Sequence, residues 1–104
     1  NTHPEFIRAA ADCFMGLGAR EVFVGEGPGH CRDTLLVLEE SGVLDYLRDT
    51  RSEFVDLNLD DVDATSNAGR CTTLKQIFLP RSLKRADLIV SLPKLKTHHW
   101  AGAT

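Results

Sequence analysis

A chain of 104 residues with 42% hydrophobic and 26% charged side chains has room for one domain with a modest core and lacks the charge excess of a disordered segment. Its net charge of −3 gives no overall basic footprint for nucleic acid, and no apolar run reaches the roughly 18 residues that span a bilayer. The three cysteines, Cys13, Cys31 and Cys71, are far apart and form no CxxC pair, so they read as reduced thiols of a cytoplasmic protein and give no zinc or disulfide framework.

The opening stretch THPEFIRAAADCFMGLGA predicts a helix. Thr2 and Glu5 have capping-box spacing, Pro4 suits the first turn, and Phe6, Ile7, Ala10, Phe14 and Leu17 form one apolar stripe. Gly18 supplies the left-handed residue on which helices end. REVFVGEG then reads as a short strand over Glu21 to Gly25, apolar enough to be buried on both faces as in a parallel sheet.

Asp33 caps a helix through TLLVLEES, interrupted near Gly42, and Ser41 is placed to cap a second one through GVLDYLRDT. A second strand is expected around Glu53 to Asn58. DDVDATSNAGRC has no hydrophobic period and reads as an exposed loop. LKQIFLP is a third strand, RSLKRA a single helical turn, and DLIVSL the most apolar strand of the set. This order predicts an α/β fold, a layered αβα sandwich with a mostly parallel sheet, in which the strand at Leu74 to Leu79 pairs antiparallel with its predecessor if it departs from that pattern.

Ligands of such sheets bind beyond the carboxyl ends of strands, where loop amides and helix amino termini converge. Two loops qualify. GEGPGHCRD follows the first strand, where Gly27 and Gly29 let backbone amides approach an anion and His30 and Arg32 add donors. It matches neither a Walker loop nor the GxGxxG dinucleotide pattern, and a plain turn with a surface histidine is the alternative. Cys31, beside it, is the one thiol placed for reactivity, with a structural role as the alternative.

The second loop is LPKLKTHHWAGAT, which leaves the strand DLIVSL through Pro93. In an extended backbone Lys94, Lys96 and His98 share one side, and Leu95, Thr97 and His99 the other. Two ammonium groups beside an imidazole repel one another unless an anion neutralises them. The alternative is a solvated lysine pair, with Trp100 as a core plug. Adjacent histidines on a strand diverge, so a metal site needs a distant donor such as His30.

THPEFIRAA, GAREVFVGEGPGH and above all ADLIVSLPKLKTHHWAGAT closely resemble the DUF362 family, a domain of unknown function found in bacterial and archaeal proteins, some with ferredoxin-type iron–sulfur modules. Relatives carry a strand before the THP helix and a Lys-Asn segment after the AGAT position, so the resemblance implies a fragment, residues 1–104 of one α/β domain truncated at both ends. It implies an iron–sulfur cluster in full-length relatives and none held with certainty by this segment. More distantly, HHWAG is similar to a histidine motif of the lactate racemase family, which binds a nickel pincer cofactor; His98 falls on that histidine, and GPGHCR is loosely similar to a His-Arg turn through His30 and Arg32.

Together these readings give a crevice for an anionic small molecule or cofactor, without nucleic acid or membrane as partner. Lys94, Lys96, His99, His30, Arg32, Gly27 and Gly29 are the expected ligand-binding residues, and His98 and Lys96 the catalytic ones if the domain is an enzyme. A non-catalytic module that docks an acidic ligand or protein surface is the competing class.

Overall fold

The computed structural model describes residues 2–29, 32–69 and 72–103, and in them the α/β class is borne out. Helix α1 (Pro4–Gly16) leads to strand β1 (Phe23–Glu26), then come helices α2 (Thr34–Glu40) and α3 (Val43–Arg48) and strands β2 (Glu53–Asp56), β3 (Val62–Ser66) and β4 (Gln76–Pro80). A 3-10 turn (Arg81–Lys84) and a small hairpin of β5 (Thr97–His98) and β6 (Gly102–Ala103) complete the order.

The strands form three pairs: β1 and β2 are parallel, β3 and β4 antiparallel, β5 and β6 antiparallel. The parallel character expected of the sheet therefore belongs to β1–β2, in register from Phe23 opposite Glu53 to Glu26 opposite Asp56. The core lies on one side of that pair. Leu38, Val43 and Leu47 are buried together, and Ile7, Leu44, Val24 and Phe54 pack against them, so all three helices meet one sheet face. No helix among the described residues is long and apolar enough to cross a membrane.

Local chemistry explains the helix boundaries. Asp33 caps α2 as its carboxylate accepts from the Leu36 amide at 2.8 Å, and Gly42, at φ 74°, makes the sharp break between α2 and α3. Ser41 closes α2 instead of opening α3: its hydroxyl donates back to the Leu38 carbonyl at 3.1 Å. Gly18, at φ 98°, follows the end of α1 as the sequence predicts. The stripe of α1 is narrower than its spacing suggests, since Ile7 packs against the core and Ala11 is buried while Phe6 and Leu17 are exposed.

Three expectations are corrected. The capping box is not formed: His3 is the N-cap residue, and the Thr2 hydroxyl donates instead to the Leu92 carbonyl. The polar stretch read as a loop holds β3, because Val62–Ser66 finds a partner in β4 with Val62 opposite Pro80 and Ser66 opposite Gln76. DLIVSL forms no strand: Leu88 and Ile89 are 66% and 61% exposed, and a run apolar on both sides gains little in a ladder when neither side is covered.

Charged groups tie the later segments to the sheet. Arg85 bonds Glu21 at 3.1 Å, approaches Glu53 at 3.6 Å and lies 5.6 Å over the Phe23 ring, clamping the starts of β1 and β2. Arg81 bonds Asp61 at 2.8 Å and Lys84 bonds Asp63 at 2.9 Å, fastening the 3-10 turn to β3. The Lys84 hydrogen bond, then the nearby charges of Lys84 and Arg81, hold the Asp63 carboxyl below its ordinary range. Asp60 is lowered as well. The Ser82 hydroxyl lies against it without completing a well-formed bond, and the Ser82 amide donates to Oδ2 at 2.8 Å.

Candidate functional site

The basic end of the chain is built by what its backbone cannot do. Pro93 has no N–H, the run before it is not in a ladder, and Asp87 is the last acidic side chain in the sequence. Lys94 and Lys96 therefore follow on an exposed segment outside any strand, with no acidic side chain near them in the sequence. Among the described residues neither has an ion-pair partner, a state shared with Arg20, Arg32, Arg51 and Lys75, whereas Arg8, Arg48, Arg81, Lys84 and Arg85 each have one.

The Thr2 to Leu92 hydrogen bond brings the start of α1 against this segment. Between them lies a cavity of about 320 Å³ lined by Thr2, His3, Phe6, Pro93 and Lys94. Sequence reasoning missed Thr2 and His3 as neighbours of Lys94, because it assigned Thr2 to the cap of its own helix. Lys96 is exposed and does not line the cavity.

His98 stands at the end of β5, and its Nδ1 accepts the amides of Trp100 and Ala101, both at 3.2 Å. His99 does not diverge to the opposite side: its ring stacks on His98 with centroids 4.9 Å apart and planes 16° from parallel. Alternation ends at His98 because the chain turns there toward β6, where Gly102 takes φ 78°. Trp100 is 77% exposed, so it is not a core plug; it packs on His99 at 4.7 Å between centroids.

At the other loop the Gly27 amide donates to the carboxylate of Glu26 at 3.2 Å. Asn58 fixes this loop, donating to the Pro28 carbonyl at 2.8 Å, and a Cβ at Gly27 would meet its Oδ1 at 3.0 Å. The only signal for Asn58 was its place at the end of the second predicted strand. Gly29 and Arg32 are exposed, and His30 and Cys31 lie outside the described residues. Lys94, Lys96, His98 and His99 share no hydrogen bond, ion pair or ring contact with Gly27, Gly29 or Arg32.

A larger cavity of about 440 Å³ lies beside β2, lined in part by Glu53, Asp56, Asp60, Arg81, Ser82 and Arg85. Its arginines are already paired with the chain's own carboxylates.

A family model described as a domain of unknown function, DUF362, matches residues 1–104. The chain belongs to the DUF362 family. No curated protein and no solved structure gives a significant match. Among the described residues of this DUF362 domain there is no group of three or more His, Cys, Asp or Glu able to hold an ion, and Cys13, exposed on α1, is the one described thiol.

Proposed function

We propose that this DUF362 domain binds a small anionic ligand or cofactor at its basic end, with Lys94 and Lys96 supplying the charge and His98 and His99 the flanking polar surface. The observation that carries this reading is the pair of lysines two positions apart, without carboxylate partners among the described residues, of which Lys94 lines a cavity and both lie close to His98 in the chain. An oxyanion beside Lys94 and Lys96 relieves their mutual repulsion and gains charge-assisted hydrogen bonds.

In an enzyme built on such a site, Lys96 holds the substrate and His98 donates a hydrogen bond at the reacting centre. A link to redox or iron–sulfur chemistry rests on the family resemblance alone. One observation favours a second reading, a non-catalytic module that docks an acidic protein surface: Leu95 and Trp100 are exposed beside the lysines, and exposed aromatics among cations are common at interfaces.

Calorimetric titration of the protein with inorganic phosphate tests the anion site. Lys94→Ala and Lys96→Ala should each weaken binding about tenfold, the equivalent of one charge-assisted contact. Undiminished binding in both variants overturns the assignment. Iron and nickel analysis of the protein, with its visible spectrum, separates the classes: bound metal favours cofactor chemistry, and metal-free colourless protein favours the binding module.

A further inference from the structure

We infer that His98 meets its ligand as a hydrogen-bond donor through Nε2, and that the turn after it holds the ring in that state. Nδ1 receives two backbone amides, those of Trp100 and Ala101. A ring nitrogen accepts an amide N–H only through a lone pair, so in the neutral ring the proton resides on Nε2. The other tautomer would set a third N–H against those two donors.

The turn that aims both amides is fixed by the pairing of His98 with Gly102 and by the left-handed backbone of Gly102. The ring is braced as well. His99 stacks on one face, and Trp100 meets it edge-on at 6.4 Å and 68°. Turning the imidazole over about Cβ–Cγ puts Cδ2 in the place of Nδ1 and costs both amide bonds.

This arrangement selects among the roles open to a histidine. Nε2 bearing hydrogen has no lone pair with which to take a proton or bind a metal ion, and Nδ1 is occupied. What the neutral ring offers is one N–H aimed away from its own backbone, which suits a carboxylate or phosphate oxygen. The choice of ligand rests on the anion site proposed above, in which Lys94 and Lys96 supply charge; His98 adds direction, which point charges on flexible stems lack.

Long-range proton–nitrogen NMR spectra of the protein labelled with 15N-histidine report the tautomer directly. With the ring neutral and no ligand added, His98 should show an unprotonated Nδ1 and a protonated Nε2; a protonated Nδ1, or an even mixture of tautomers, overturns the inference. Inorganic phosphate and acetate, added separately, should each move the Nε2 signal if they reach the site, and the larger shift tells phosphate from carboxylate preference. A fixed tautomer that neither anion perturbs sustains the donor state while removing the anion site, so the two readings fail separately. His98→Asn gives a second check, because its side-chain oxygen still accepts the two amides but has no N–H in the place of Nε2. Slow amide exchange at Trp100 and Ala101 should persist in that variant while phosphate affinity falls about tenfold; unchanged affinity with the turn intact overturns the role of Nε2.

Discussion

Single residues carry distinct, separable costs in this molecule. Gly42, at φ 74°, has room for a Cβ, whose nearest neighbour would be Pro4 Cγ at 3.9 Å, so Gly42→Ala is penalised by backbone strain alone. We expect a loss of about 1 kcal/mol, read from urea denaturation. Asp33→Ala removes the one described carboxylate that caps a helix and should cost about 1 kcal/mol by the same measurement. Both residues were legible in the sequence because capping and left-handed turns depend on neighbours a few positions away. The Thr2 to Leu92 bond was not, since its partners are 90 positions apart and a threonine next to a helix start suits a cap equally well.

At the scale of elements, the fastening of β3 to the 3-10 turn is sensitive to acid. Asp60 and Asp63 are both held below the ordinary carboxylate range, so their contribution is complete above the unfolded value of about 3.9 and is lost as the pH falls through their lower folded values. Thermal melts between about pH 6 and pH 2 should therefore show an acid loss of stability that the Asp60→Asn, Asp63→Asn double variant reduces. The same strand shows why a polar segment is hard to read. Asp63 and Thr65 are half-buried and Val62, Ala64 and Ser66 exposed, a period of two that is visible only once β4 lies alongside. DLIVSL fails in the opposite sense: its composition is that of a buried strand, yet a strand forms only where an edge accepts it and its faces are covered. Leu88, Ile89 and Val90 therefore stay exposed, and Ile89→Lys should lower the binding of an apolar fluorescent dye to the folded protein.

For the whole molecule, charge is distributed unevenly: net −3 overall, with no acidic side chain after Asp87 in the sequence and two lysines beyond it that have no ion pair among the described residues. Anion binding at that end should weaken as sodium chloride rises from about 10 mM to about 150 mM, because the screening length shrinks from roughly 30 Å to roughly 8 Å. The core that supports the site is thin. Leu38, Val43 and Leu47 are its buried centre, and Leu47→Ala should cost about 3 kcal/mol in urea denaturation, a large share of the stability of a small domain. The sequence by itself determined the helices, the glycine breaks, the first two strands and the basic character of the Lys94–His98 segment, because each depends on local backbone preference or on charge that no folding changes. Only the tertiary structure decided that Thr2 and His3 stand beside Lys94, that Asn58 holds the glycine loop and that both His98 and His99 rings stack, since those contacts require distant segments or a turn whose direction no local preference specifies.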